Sequence, residues 1–209
     1  EVTLDSGGMA AITDINDVTL GGDVQGDLAL TAGGLVDLTT LTAQDDVSVV
    51  TSGGIRQTAL NALTVTGDTT LQAGADSDIT LMSAANAFTG DVDFAGGRDA
   101  LLSATGNLHV TGGVSRDVGL TVVTGVLNLA DLFTGRDLAL AAVGVDLGIT
   151  SVGGNLDLTS SGMVSNSNTV QVTGTTTINA GGHAVDLTSE NNDFGGAVTF
   201  TAALTAAVN

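Results

Sequence analysis

Residues Val65 to Phe94 read VTGDTTLQAGADSDITLMSAANAFTGDVDF, and Val172 to Phe200 read VTGTTTINAGGHAVDLTSENNDFGGAVTF. With one residue dropped in the turn, the two stretches are identical at Val65/Val172, Gly67/Gly174, Ala73/Ala180, Gly74/Gly181, Leu81/Leu187, Asn86/Asn192, Phe88/Phe194, Gly90/Gly196, Val92/Val198 and Phe94/Phe200. Four of the chain's five Phe lie in these two copies. A long internal repeat is a statement about architecture, because each copy needs a neighbour of the same kind to bury its apolar face.

The match extends outward. Val18-Thr19-Leu20 answers Leu127-Asn128-Leu129, and TSGGIRQTALNALTVTG from Thr51 answers TSSGMVSNSNTVQVTG from Thr159. The offset between matched positions drifts only slightly, giving super-repeat copies at about 18–94 and 127–200. A shorter period lies inside. An Asp recurs at the entrance to a short apolar-polar-apolar triplet, at Asp17, Asp27, Asp46, Asp78, Asp99, Asp117 and Asp137. Four of these six steps are about 20 residues, a length at which one turn of a solenoid can close on itself. The triplets include Leu28-Ala29-Leu30, Val47-Ser48-Val49, Leu63-Thr64-Val65, Ile79-Thr80-Leu81, Leu108-His109-Val110 and Leu156-Asp157-Leu158. Each places two apolar side chains on one face of a strand. Gly, Asn, Asp and Ser clusters separate them, which is turn chemistry.

Composition agrees. The 209 residues include 30 Gly and no Pro, so tight corners are plentiful and every backbone N–H is free to join a ladder. Hydrophobic residues make up 43% and aromatic ones 2%, with no Trp and no Tyr, so the core is built of Val, Leu, Ile, Ala and Thr methyls. Two architectures fit so long an outer period: a parallel β-solenoid, or two tandem immunoglobulin-like sandwiches. The inner period, the short strands and the lack of a linker favour an all-β parallel β-solenoid. It has about ten rungs of roughly 20 residues, stacked into a rod roughly 48 Å long. The chain reads as a single segment, 1–209. Without an initiator Met or a polar capping helix at either end, it is expected to be an internal piece of a longer array.

The pattern ALTVTG-TT-L-AG-ITL-N-F-G-V at Ala62–Val92 and near Thr169–Val198, with NDVTLG at Asn16–Gly21 and GGNLDLTSSG at Gly153–Gly162, resembles the repeats of large filamentous haemagglutinin-like bacterial exoproteins. That resemblance implies a right-handed parallel β-helix (β-solenoid) handled by two-partner secretion, exported to the extracellular space or outer cell surface, in a cell-adhesion or biofilm-matrix role. It designates no catalytic residues.

Little chemistry is concentrated anywhere. The net charge of -19, with no Lys, disfavours nucleic acid and anionic membranes as partners. No run is long enough to insert into a membrane as a helix. No Cys occurs, which excludes disulfides and thiolate metal sites. Arg98-Asp99, Arg116-Asp117 and Arg136-Asp137 recur at steps of 18 and 20 and are expected to stack as a surface ionic ladder. The Asp column is the best metal candidate, for calcium, but neither a GGxGxD tandem nor an EF-hand loop is present, and turn chemistry and solubility are the preferred reading. Asp45-Asp46 and Asp91 with Asp93 read as solvated faces. His109 is expected to point outward from its strand, and His183 to sit in a turn; neither has zinc spacing or an evident nucleophile partner. The expectation is a non-enzymatic structural shaft, with no catalytic, cofactor-binding or metal residues assigned. The alternative is a β-helix that binds or degrades polysaccharide, and its acidic residues pass the carboxylate test too easily to discriminate. A host-cell or matrix glycan and lateral or end-to-end self-association are the partners to consider.

Overall fold

The computed structural model describes residues 1–58 and 60–209. Ala59, inside the stretch from Thr51, lies outside the described residues. The described residues form strands and turns without helix, and all the strand pairing is parallel. Two sheets run the length of the chain, each built on a path of eleven strands. Along these two paths the chain alternates between the sheets, so each turn contributes a strand to each and stacks on the turn before. The protein is a β-solenoid of eleven turns, one more than the sequence period suggests. Tandem sandwiches are excluded.

Register shows why the period is visible in sequence. One column of the first sheet runs Val18, Val36, Ile55, Ile79, Ala100, Val118, Leu138, Leu156, Thr176, Val198. One step along this column is one turn of chain, about 20 residues on average. Because the side chains of a strand alternate between its faces, a residue that stacks on an inward residue must itself point inward. The column is therefore aliphatic, apart from Thr176. Most members are below 5% exposed, and Val198, near one end, is the partly covered exception. Burying each such aliphatic side chain contributes about 1.5–3 kcal/mol, against the entropy of fixing the turn that presents it.

The turns are not identical in section. In the early part of the chain, strands of the first sheet run on round a corner, as in Val18–Val24 and Val36–Ala43. The two halves of Val36–Ala43 are continued on the next turn by separate strands, Ile55–Gln57 and Leu63–Val65, and Ala87–Phe88 stacks on the latter. Later the second sheet does the same. Leu108–Val114, Val126–Thr134 and Gly144–Val152 turn the corner, and the last is continued by Val164–Ser165 and Val170–Val172. Strands of up to nine residues result, longer than the triplets alone predict. The sequence shows only the halves, because the corner residues interrupt the alternation.

Sequence places the second super-repeat copy about five turns above the first. The structure places it five and a half turns away. Leu71 lies on the second sheet and its counterpart Ile178 on the first, while Leu81 lies on the first sheet and its counterpart Leu187 on the second. The offset from Val65 to Val172 is not a whole number of turns. The copies therefore face opposite sides of the rod. The stack also matters for the Phe pairs: Phe88 and Phe94 are buried, whereas Phe194 and Phe200 are only partly covered by the turns around them.

Candidate functional site

The polar residues singled out in the sequence resolve into ladders. The strand-entrance Asp column is two columns. Asp17, Asp78, Asp99, Asp117 and Asp137 lead into the first sheet, and Asp27 and Asp46 into the second, where Asp68 and Asp91 continue the series. Most are bonded in the same way: a carboxylate oxygen accepts the backbone N–H of the residue one turn on. Asp46 Oδ1 accepts from Asp68 N at 2.8 Å, Asp68 Oδ1 from Asp91 N at 2.9 Å and Asp117 Oδ1 from Asp137 N at 3.0 Å. At Asn107 and Asn155 an amide oxygen takes the same role, accepting from Val126 N at 3.0 Å and Thr175 N at 2.9 Å. These N–H groups sit at the corners, just before the sheet ladder begins, and have no strand partner there. An acceptor is what the position requires; charge is incidental. The columns hold about one carboxylate per turn, so neighbours stand roughly 4.8 Å apart and already spend an oxygen on the backbone. Among the described residues no group of three or more His, Cys, Asp or Glu side chains converges as a metal ion would need.

The Arg-Asp steps stack as the sequence suggests. Arg98 grips Asp78 with Nε at 2.8 Å and Nη2 at 2.6 Å, and approaches Asp99 at 3.3 Å. Arg116 lies 3.7 Å from Asp99 and 3.8 Å from Asp117, and Arg136 lies 3.6 Å from Asp117. The hydrogen bonds that Arg98 donates to Asp78, and then the Asp78 charge, raise the Arg98 pKa above the ordinary arginine value, so this guanidinium stays charged. Arg56 pairs separately with Asp37 at 2.8 Å. All four Arg are thus engaged from rung to rung, and the surplus charge on the surface is negative.

His109 does point outward, and its Nδ1 lies 2.7 Å from Asp91 Oδ1. In register it stands in an outer column that runs Asp91, His109, Asn128, Asp146, Ser165. The Ser165 hydroxyl is directed at Asp146, not at the imidazole, and His183 lies in a turn far along the chain. The structure does not bring the two His together.

Two features are not announced by any sequence motif. Asn86 and Asn192, identical in the repeat, are the hubs of polar plugs where a continuous strand splits in two. Asn86 is fully buried; its Oδ1 accepts from Gln57 Nε2 at 2.6 Å and Leu63 N at 2.9 Å, and its Nδ2 donates to Gln57 Oε1, Leu81 O and Ser103 O. Asn192 Oδ1 accepts from Asn166 Nδ2 and Val170 N at 2.9 Å each, and its Nδ2 donates to Leu187 O at 2.8 Å. The identity of these Asn between the copies is the available signal. The second feature is Phe133, the one Phe outside the two best-matched stretches, Val65–Phe94 and Val172–Phe200. Its side chain stands out from the flank, 52% exposed, between two open grooves of about 580 and 450 Å³.

Residues 27–95 and 135–201 match a family described as repeats of unknown function (DUF5649), together well over half of the 209 residues. The chain belongs to this family. No curated protein and no solved structure matches it. The two DUF5649 matches overlap the stretches at about 18–94 and 127–200. In physical terms a DUF5649 repeat is a stack of solenoid turns carrying one Asn plug, and two of them in tandem put the plug first on one side of the rod and then on the other. Phe133 falls in the stretch between the two DUF5649 matches.

Proposed function

We propose that this DUF5649 protein is a non-catalytic shaft segment of a secreted, filamentous haemagglutinin-like bacterial adhesin, spacing a binding region away from a cell surface or within a biofilm matrix. One observation carries the reading: the Asp columns and Arg-Asp steps, the most regular polar features of the chain, are spent on holding one turn to the next. The Asp columns bond the backbone of the following turn, the Arg bridge Asp on adjacent turns, and a continuous aliphatic core joins the first turn to the last. Such a stack gains length in proportion to its residues and stiffness from each added ladder. Surplus negative charge supports the role, since like-charged flanks keep neighbouring rods apart. Export rests on the repeat resemblance, with which the absence of Cys is compatible.

The test is geometric and functional together. Excising whole turns from the parent protein should shorten its projection from the surface by about 4.8 Å per turn, with adhesion per displayed molecule unchanged. Loss of adhesion at equal display would refute the shaft reading. Turnover of a polysaccharide by the purified chain would refute the non-catalytic one.

A further inference from the structure

We propose that the flank around Phe133 is a binding site for a neutral glycan chain, a role that goes beyond spacing and does not depend on it.

The first observation is the ring itself. The core takes in Phe88 and Phe94 and packs Phe194 and Phe200 against its side, while Phe133 is left 52% exposed on the outer face. Shaft building does not need it there. The second is the arrangement of its neighbours. Along the stack, Phe133 has Gly113 on one side and Ser151 on the other, followed by Gln171 and Asp193. A residue with no side chain and one with a very small side chain leave both flanks of the ring open. A Cβ at Gly113 would collide with the Phe133 backbone, so the floor of that trough stays bare. The third is the polar lining. One groove is edged by Gln72 and Asp93, the other by Gln171 and Asp193.

An aromatic face with amide and carboxylate groups to either side is the chemistry that recognises a sugar: C–H groups of a pyranose stack on the ring, and its hydroxyls donate to carboxylates and exchange hydrogen bonds with amides. Gln171 and Asp193 lie two and three rungs from Phe133, roughly 10 and 14 Å along the stack, so an extended oligosaccharide laid along the rod meets the ring and the acceptors together. Neither groove is lined by Arg, and the net charge is -19, so acidic polysaccharides are disfavoured. A basic peptide is the less apt occupant: each groove offers a single carboxylate, and the rest of its polar lining pairs with hydroxyls rather than with charge.

The experiment is calorimetric titration of the intact chain with cellohexaose, laminarihexaose and chitohexaose, with an alginate hexasaccharide and hexaarginine as the charged comparisons. At least one neutral hexasaccharide should bind. Phe133→Ala should weaken it by about tenfold or more, as loss of a stacked ring predicts, Phe133→Tyr should retain it, and Leu101→Ala, on another exposed flank, should leave it unchanged. Binding of none of the neutral sugars, or equal binding by Phe133→Ala, overturns the proposal. Tighter binding of the alginate or of hexaarginine overturns the ligand class, as does a dimer seen in sedimentation that Phe133→Ala abolishes, which would assign the ring to a second copy of the chain.

Discussion

Replacing Asn86 by Ala tests whether the polar plug, rather than the aliphatic ladder alone, holds the split turns in register. Asn86 is fully buried and makes five hydrogen bonds. Truncation removes the side-chain partner of the Leu63 N–H, and an orphaned buried donor costs about 1–3 kcal/mol. Gln57 is less exposed to loss, because its Nε2 also donates to Asn61 O at 3.0 Å and its Oε1 also accepts from Ser83 N at 3.4 Å. The four remaining bonds contribute about 0.5–1.5 kcal/mol each, and their losses are not fully additive because they share one side chain. The expected cost is therefore about 3–5 kcal/mol, a large part of a typical domain's stability. A solenoid is nearly one-dimensional, so the damage should stay local. Denaturant unfolding should show the loss, and hydrogen exchange should show protection falling between Ile55 and Thr105 while the turns from Leu127 onward keep theirs. Asn192→Ala should cost about half as much, since that side chain is only partly buried and makes three bonds. A cost below about 1 kcal/mol for Asn86→Ala, or exchange that rises uniformly along the chain, would refute the reasoning.

Thr69 and Thr176 occupy equivalent positions in the two repeats, stack inward among aliphatic side chains, and have buried hydroxyls without a partner. Thr69→Val and Thr176→Val should each stabilise the chain by about 1–2 kcal/mol in thermal or denaturant unfolding; destabilisation would mean the hydroxyls are satisfied after all. Phe94→Ala should cost about 3–5 kcal/mol and Phe200→Ala less than half of that, because Phe94 is 1% exposed whereas Phe200 packs only against the side of the core. Asp68→Ala should lose the cap on the Asp91 N–H and about 0.5–1.5 kcal/mol, and Asp68→Asn should restore it, as Asn107 and Asn155 already do at their positions. The Arg98 pKa is raised, so, with its carboxylate partner ionised, the pairing is fully present below the ordinary arginine value and is lost only as pH rises through the raised one. The melting-temperature difference between Arg98→Gln and the parent chain should accordingly be the same at about pH 7 and about pH 10.

The period is legible because a parallel stack repeats its environment every turn. Val18, Val36, Ile55 and Ile79 are apolar for one shared reason, and a reader needs only their spacing. Steps that vary between turns are harder. The interval from Ile55 to Ile79 takes in the split strand, and the next, from Ile79 to Ala100, takes in its plug Asn86; nothing in single-residue alternation marks a strand that divides. The Asp column misleads in a specific way. Corners before both sheets need the same acceptor, so in sequence Asp27 and Asp46 from one corner fall in line with Asp17 and Asp78 from the other. Their regularity reads as a single column, and the geometry shows two columns of backbone caps. Phe133 is legible only as the Phe outside the best-matched stretches Val65–Phe94 and Val172–Phe200; that it faces solvent depends on the corner within Val126–Thr134, where the register shifts against Leu108–Val114.

The half-integer offset between the DUF5649 repeats changes what such a repeat can do. If the offset were five whole turns, every copy would present its plug and its neighbouring flank on the same side, and a rod of many copies would have one functional face. With five and a half turns, successive copies alternate sides, and only every second copy returns to the same face. Any feature tied to a fixed place in the repeat is then displayed on both sides of the rod. A feature between repeats, such as Phe133, is displayed on one side in each tandem pair. Deleting one repeat length from a longer array, such as Val65 to Gln171, would therefore do more than shorten it: everything beyond the deletion would be turned half a revolution about the axis relative to everything before. Length changes that keep orientation must come in whole turns or in pairs of repeats.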